Sequence, residues 1–256
     1  MTFIQAIILG IVEGFTEFLP ISSTAHLEFA SRIMQIANSP FLDSFLIFIQ
    51  IGSILAALVV YAGLIWKHRA QWKTVAAAFI PTAIIGFILY KIVKTLFLGN
   101  VSLAAIMLII GGILMIIFEL ALAKRKSGTQ SIEAITYKQA ALIGLAQSIA
   151  VVPGVSRSGA TIYGGLFAGM SRETIVDFSF ILAIPTMIAA GGYDLLKSAA
   201  GFSGGDFGLL AAGFIAAFLS ALFAIRFFLS YAKRHDFTIF GIYRILAGVL
   251  FFFSLR

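Results

Sequence analysis

The sequence predicts an all-α polytopic membrane protein with six transmembrane helices, two re-entrant helical hairpins and an inverted-topology repeat. Three observations support this class. The 256 residues are 61% hydrophobic and only 11% charged, whereas soluble domains carry about 25% charged residues. Apolar runs of about 20 residues have the length of a spanning helix and are too continuous for barrel strands. Finally, the two halves of the chain share a pattern of helix breaks and polar residues.

Six apolar runs are long enough to cross a hydrocarbon core of about 30 Å at about 1.5 Å per residue. The predicted spans are 43–64, 74–95, 101–123, 174–197, 207–231 and 237–255. Two further hydrophobic pieces, 2–35 and 138–169, are broken by Pro20 and by Pro153 with Gly154. Because proline interrupts a helix, each piece is expected to form two half-helices, a re-entrant hairpin inside the protein.

The two halves match each other at a nearly constant offset. The matched pairs are Gly10 with Gly144, Glu13 with Gln147, Ser22 with Ser156, and Asp43 with Asp177. We therefore predict one integral membrane domain, 1–256, built from two repeats at 1–123 and 137–256. Each repeat contains one hairpin and three spans. Since three is odd, the second repeat is inserted upside down, and broken helices of such repeats usually form a binding site at the bilayer midplane.

Lysine and arginine predict the orientation, because cytoplasmic loops carry the excess positive charge. Ten basic residues fall on one side and five on the other, so the first side is assigned to the cytoplasm and the first hairpin enters from outside. The cytoplasmic group is Lys67, Arg69, Lys73, Lys124, Arg125, Lys126, Lys138, Arg172, Lys233 and Arg234. The outer group is Arg32, Lys91, Lys94, Lys197 and Arg256.

Composition also limits the partners. The net charge of +7 is spread over short loops, which favours contact with anionic lipid headgroups over nucleic-acid binding. The chain has no cysteine, so disulfides and thiolate metal sites are excluded. From the apolar composition and the basic loops, we expect the lipid bilayer to surround the protein. A homodimer is compatible with the sequence, which does not determine the oligomeric state.

Segment 13–26 places ionisable groups in an apolar stretch, where each costs about 2.5–3.5 kcal/mol to insert and therefore indicates function. Glu13 and Glu17 are one helical turn apart and share one face. Two adjacent buried carboxylates repel each other unless a proton or a cation lies between them. A hard divalent cation is the expected partner, with Mg²⁺ first and Mn²⁺ or Ca²⁺ as alternatives.

Ser22 and Ser23 follow Pro20 and are expected to open the second half-helix. A serine there caps free N–H groups, and the same helix start attracts anions. His26 lies on the same face. A serine beside a histidine is a candidate nucleophile, and the histidine itself is a candidate acid, base or nucleophile. A metal-activated water is the third candidate nucleophile, and spacing does not choose among them.

Segment 153–161 repeats this pattern of a proline break followed by a serine in the second half of the chain. Ser156 is expected at the start of a half-helix, with Arg157 directly after it. Arginine binds phosphate through a planar fork of donors. An ion pair between Arg157 and Glu13 or Glu17 is the structural alternative, compatible with function in the free protein. Arg244, in the last predicted span, is either structural or neutralises substrate, and Gln147 is a candidate remnant ligand.

These groups predict phosphoryl chemistry on a substrate held in a membrane. The competing prediction is a lipid-phosphate transporter or flippase, since inverted repeats with broken helices are transporter architecture. The serine, histidine and carboxylate cluster favours the enzyme, because translocation alone does not need it.

At 13–26 and 153–161, and again at 178–185, the chain resembles the undecaprenyl-diphosphate phosphatases of the bacitracin-resistance type. The resemblance covers essentially the whole chain. It implies hydrolysis of a C55 isoprenyl diphosphate to the monophosphate and inorganic phosphate, which recycles the carrier for cell-wall synthesis. It also implies bacitracin resistance, a divalent cation, and a multi-pass protein of the bacterial inner membrane with a site open to the outer side.

By position, the resemblance assigns Glu13 and Glu17 to metal binding, with Glu17 also catalytic. Ser23 and His26 correspond to catalytic positions. The positions that correspond to substrate binding are Ser22, Ser156, Arg157, Ser158 and Thr161. One departure is Ala25, where the family usually has glycine before the histidine.

Overall fold

The computed structural model describes residues 1–67, 69–93, 100–123, 128–129, 131–198 and 206–254. These ranges contain ten α-helices. The helices are α1 (Phe3–Thr16), α2 (Ser23–Ile33), α3 (Pro40–Lys67), α4 (Trp72–Ile92), α5 (Val101–Leu122), α6 (Tyr137–Ser148), α7 (Arg157–Phe167), α8 (Arg172–Ser198), α9 (Phe207–Ala232) and α10 (Thr238–Ser254). The predicted all-helical class is confirmed for the described residues.

Five of these helices are long and apolar enough to cross a membrane. They are Pro40–Lys67, Arg69–Tyr90 (which adds a 3₁₀ turn to α4), Val101–Leu122, Arg172–Tyr193 and Phe207–Ala232. The sixth predicted span, 237–255, is the shorter apolar helix α10 of 17 residues. Large apolar side chains such as Phe87 and Leu120 are about three-quarters exposed, as expected of surfaces that face lipid. The protein is therefore a multi-pass membrane protein.

The segments broken by proline fold as two helical hairpins, α1–α2 and α6–α7. Each begins with the same capping box, Thr2 with Gln5 and Thr136 with Gln139, which satisfies the free N–H groups of the first turn. The side-chain amide of Gln5 also donates to the Met34 carbonyl oxygen at 3.1 Å, which ties the beginning of α1 to the end of α2.

The two hairpins enter the bundle from opposite ends. α3 starts just after α2 and runs for 28 residues, so the beginning of α4 lies at the other end. α6 packs along α4, where the Thr82 hydroxyl donates to the Gly144 carbonyl oxygen at 2.8 Å. α1 packs along α9 in the same way. Each hairpin thus lies against a long helix of the other half.

α5 and α10 form a close antiparallel pair. A Cβ atom on Gly112 would lie 2.5 Å from the Gly241 carbonyl oxygen, and one on Gly248 would lie 2.8 Å from that of Ala105. Small residues at such contacts let membrane helices approach closely. This pairing brings α10 within reach of the tips of both hairpins.

Of the basic residues used to predict orientation, Lys94, 124–126 and Arg256 lie outside the described residues, as do the side chains of Lys91 and Lys197. The remaining cytoplasmic-group residues lie at helix ends on one side of the bundle, where Lys233 pairs with Glu173 at 2.9 Å.

Candidate functional site

The broken tips of the two hairpins meet inside the helix bundle. The Arg157 guanidinium pairs with the Glu17 carboxylate at 2.9 Å. The Ser158 hydroxyl donates to the Leu19 carbonyl oxygen at 2.9 Å. The acidic and basic tips therefore converge as predicted, and the ion pair that the sequence left open as the structural alternative is formed with Glu17.

The carboxylate of Glu13 is fully buried, and neither of its oxygens has a hydrogen-bond partner. Its neighbours are the Glu17 carboxylate and the hydroxyl of Ser53 on α3. A buried carboxylate without a partner is costly unless a proton or a cation compensates it. The carboxylate oxygens of Glu13 and Glu17 are ligands of the hard type that Mg²⁺, Mn²⁺ and Ca²⁺ prefer, so the chemistry of the pair suits a divalent cation.

Glu17 lies at the centre of the polar contacts. One of its oxygens accepts from Arg157, and the other accepts from the Ser23 hydroxyl at 2.5 Å. The side chain is 9% exposed, so these contacts form away from bulk water. A carboxylate that accepts directly from a hydroxyl is placed to take its proton.

His26 does not contact a serine hydroxyl, although it lies one turn from Ser22 and Ser23. Its Nδ1 lies 2.7 Å from the Ser22 carbonyl oxygen, and its Nε2 lies 2.8 Å from the Tyr243 hydroxyl. Both ring nitrogens are therefore engaged. Tyr243 had no signal in the sequence, because it lies on α10, 217 positions along the chain from His26.

The two serines that precede the second half-helices share an unusual backbone. Ser22 has φ 70° and Ser156 has φ 62°, values that side-chain-bearing residues rarely adopt. Ser156 caps α7 by accepting from the Gly159 N–H at 3.3 Å, as predicted. Ser22 makes no side-chain cap, so the prediction of capping was wrong for that position.

The Arg157 guanidinium does not use all of its hydrogen-bond donors. One of its terminal nitrogens binds Glu17, and the other approaches the Ser179 carbonyl oxygen at 3.5 Å. Its Nε is buried without a partner. The guanidinium is held 5.6 Å above the Phe18 ring, a cation–π contact that fixes its plane.

Thr161 and Gln147 belong to a second polar cluster beside the tips. The Thr161 hydroxyl lies 3.1 Å from the Gln147 Oε1 and 2.8 Å from the Arg157 carbonyl oxygen. The Gln147 amide donates to Thr82 at 2.9 Å and to Thr186 at 3.2 Å. Thr161 therefore faces this cluster, while Ser158 faces Ser156 at 3.2 Å and the first hairpin.

Arg244 holds both tips in place. Its guanidinium donates to the carbonyl oxygens of Pro20 at 2.9 Å and Gly154 at 2.8 Å, the two residues at the helix breaks. It also reaches the carbonyls of Met107 at 3.2 Å and Leu108 at 3.4 Å on α5. The side chain is 1% exposed. Of the two roles that the sequence left open, these contacts support the structural one.

A cavity of about 560 Å³ ends at Arg157 and Gln147. It lies between α4 and α8, and it extends toward Tyr90 and Tyr193, whose rings pack edge to face at 5.2 Å near the far ends of those helices. Its walls are largely apolar. An apolar cleft with a few convergent polar groups suits a ligand with an apolar body and an anionic head.

The family model described as bacitracin resistance protein BacA matches residues 6–250. A protein of Aquifex aeolicus named undecaprenyl-diphosphatase is 47% identical over 251 residues, which cover 98% of each chain. Proteins of the same name from Wolinella succinogenes, at 46% identity with 100% and 99% covered, and Thermus thermophilus, at 44% with 98% and 97% covered, are also similar.

Proposed function

Because the chain belongs to the bacitracin resistance protein BacA family, we infer that it hydrolyses undecaprenyl diphosphate. In the net reaction, water is consumed and the bond between the bridging oxygen and the terminal phosphorus is broken, which gives undecaprenyl phosphate and inorganic phosphate. The observation that carries this inference is the buried contact between Arg157 and Glu17, which joins the two hairpin tips at 2.9 Å. The transporter alternative is not favoured, since the similar relatives are named as phosphatases.

Arg157 is proposed to bind the diphosphate. Its free Nε is an available donor, and the fork of a guanidinium matches two phosphate oxygens. An incoming diphosphate competes with Glu17 for this arginine. The exchange frees a Glu17 oxygen in the site at the moment when substrate is present. Ser156 and Ser158, at the start of α7, are proposed to support the same phosphate groups. Thr161, one turn further along α7, is proposed to contact them from the side of Gln147.

Ser23 is proposed as the nucleophile and Glu17 as its base. The Ser23 hydroxyl already donates to Glu17 at 2.5 Å, so the carboxylate is in direct contact with the proton that it would accept. The serine oxygen attacks the terminal phosphorus, its proton passes to Glu17, and undecaprenyl phosphate leaves. Water then hydrolyses the phosphoserine and releases phosphate. His26, held by Ser22 and Tyr243, is proposed to keep the start of α2 in position.

A divalent cation is proposed at Glu13 and Glu17, with Mg²⁺ first and Mn²⁺ or Ca²⁺ as alternatives. The two unpartnered oxygens of buried Glu13 support this assignment. When bound, the cation neutralises charge on the diphosphate oxygens, which is most of what phosphoryl transfer requires.

The full topology is proposed to be six spans with two re-entrant hairpins, in inverted repeats at 1–123 and 137–256. The repeated capping boxes and the repeated positive φ at Ser22 and Ser156 support the duplication. The chain is proposed to lie in the bacterial inner membrane with the first hairpin entering from the outer side, as its basic residues predict. The cavity between α4 and α8 is proposed to hold the isoprenyl chain, and a homodimer remains a prediction.

The experiment is phosphate release by purified protein in detergent, with undecaprenyl diphosphate labelled at its terminal phosphate. The parent enzyme is expected to release phosphate with no membrane present and to retain label on protein after an acid quench. Ser23→Ala is expected to lose both signals. The control is Ser44→Ala, a buried serine whose hydroxyl binds the Pro40 carbonyl on α3. Label that persists in Ser23→Ala would contradict the assigned nucleophile.

A further inference from the structure

Ser53 is a buried polar residue that the mechanism above does not use. It lies on α3, its side chain is fully buried, and its hydroxyl oxygen has no hydrogen-bond partner. A buried hydroxyl without a partner costs about 1–3 kcal/mol. Such a group in a well-packed helix interface needs an explanation.

The groups around Ser53 explain its unpartnered hydroxyl. Gly52, the residue before Ser53, and Gly14, the residue after Glu13, both pack against Ala217 of α9. The Ser53 hydroxyl therefore lies beside the carboxyl group of Glu13, which is also fully buried with both oxygens unpartnered. The Glu17 carboxylate faces Glu13 from the next turn of the chain. α3 therefore adds a third oxygen-bearing side chain to a pair that α1 and the following turn supply.

The packing of α3 fixes this arrangement. A Cβ atom on Gly52 would lie 2.6 Å from the Phe214 carbonyl oxygen, so α3 is pressed against α9 at the residue before Ser53. α1 packs along the same helix, α9. Ser53 thus faces Glu13 from a rigid position, which is a requirement for a metal ligand.

The acidic pair alone is a poor site. Within the described parts of the chain, no group of three or more histidine, aspartate or glutamate side chains lies close enough to hold a metal. Hard cations accept neutral oxygen ligands beside carboxylates. A serine hydroxyl raises the number of protein oxygens without adding a further negative charge to the interior.

We propose that Ser53 is a third ligand of the divalent cation held by Glu13 and Glu17, so that α3 forms part of the metal site. This proposal rests on the cation site proposed above. It explains why the Ser53 hydroxyl and both oxygens of Glu13 lie together in the protein interior without a hydrogen-bond partner, beside the Glu17 carboxylate. It also gives the longest helix of the first half a direct role in the site.

The test measures binding of Mn²⁺ alone to the purified full-length protein in detergent, from the electron paramagnetic resonance signal of free Mn²⁺. Loss of a group that supports a metal site typically weakens affinity by about 10–100-fold. We expect Ser53→Ala to weaken Mn²⁺ binding by about tenfold or more. The matched control is Ser31→Ala, another buried serine on α2 whose hydroxyl has no partner, and it is expected to bind Mn²⁺ like the parent.

A second variant separates ligation from packing. Ser53→Cys keeps the shape of the side chain and replaces oxygen with sulfur, which favours soft ions. The parent chain has no cysteine, so the new thiol is the only one present. We expect Ser53→Cys to bind Mn²⁺ more weakly than the parent and Cd²⁺ more tightly, with no such switch in Ser31→Cys.

The outcomes are distinct. Equal Mn²⁺ affinities in the parent, Ser53→Ala and Ser31→Ala would overturn the role of Ser53 and leave the Glu13–Glu17 site intact. Absence of a Cd²⁺ preference in folded Ser53→Cys would do the same. A parent protein that binds no Mn²⁺ would overturn the cation site and this inference together, while phosphate release by that parent would show that the phosphatase assignment stands.

Discussion

The contact between Arg157 and Glu17 makes Arg157→Lys the most informative substitution. Lysine keeps the positive charge that pairs with Glu17 but loses the planar fork and the free Nε. The structure therefore predicts that the ion pair of the free protein survives, while one charge-assisted hydrogen bond to the diphosphate is lost. Such a bond contributes about 1.5–3 kcal/mol.

That energy corresponds to a loss of about 10–150-fold in kcat/KM, at about 1.4 kcal/mol for each factor of ten. Arg157→Ala is expected to lose about 1000-fold or more, as for other arginines that stabilise a transferring phosphoryl group. It also leaves Glu17, 9% exposed, without its cation. We therefore expect Arg157→Ala to lower the free energy of unfolding by about 3 kcal/mol, and Arg157→Lys to change it little.

The assay is phosphate release from undecaprenyl diphosphate in detergent, with thermal unfolding measured on the same samples. The control is Arg172→Lys, because Arg172 also pairs with a buried glutamate, Glu119, but at the end of the bundle away from the tips. It should leave kcat/KM near the parent value. If Arg157→Lys stays within twofold of the parent, or if Arg157→Ala keeps most of its activity, the diphosphate does not bind where we place it.

Three further predictions follow from the same contacts. Glu13→Gln replaces a buried carboxyl group whose two oxygens have no partner, so the thermal unfolding temperature should hold or rise while phosphate release falls by about 100-fold or more. A marked loss of stability would argue against a carboxyl group kept for function. Chelation with EDTA should abolish phosphate release, and Mg²⁺ or Mn²⁺ should restore it; full activity in excess chelator would exclude the cation. Arg244→Met leaves four backbone carbonyl oxygens without their donor and should lower the free energy of unfolding by about 3–5 kcal/mol. The control, Arg226→Met, changes an exposed arginine and should leave the free energy of unfolding near the parent value. Equal effects of the two substitutions in thermal unfolding would refute the structural role of Arg244.

The sequence was sufficient for the elements with strong local signals. Continuous apolar runs predicted the long helices to within a few residues, because a spanning helix must satisfy its own backbone hydrogen bonds. Pro20 and Pro153 located the hairpin tips, since proline cannot continue a helix. The offset between Ser22 and Ser156 predicted a repeated geometry, which appears as the same positive φ.

The sequence was insufficient for contacts that depend on how helices pack. Spacing placed His26 beside the serines, but Tyr243 on α10 and the Ser22 carbonyl hold its two nitrogens. Arg244 and Ser53 meet groups on helices that are far from them along the chain. No local pattern marks a guanidinium that will meet two helix breaks, or a serine that will face a carboxylate.

The central claim is that residues from the two hairpin tips form one diphosphate site. Because the chain has no cysteine, Leu19→Cys and Ser158→Cys can be combined, at neighbouring positions where the Ser158 hydroxyl lies 2.9 Å from the backbone carbonyl oxygen of Leu19. The double variant is then treated with a short bifunctional thiol reagent in native membranes. We predict an intramolecular cross-link that stops phosphate release and is slowed by pyrophosphate. Failure to cross-link in folded protein, or full activity after cross-linking, would contradict the account.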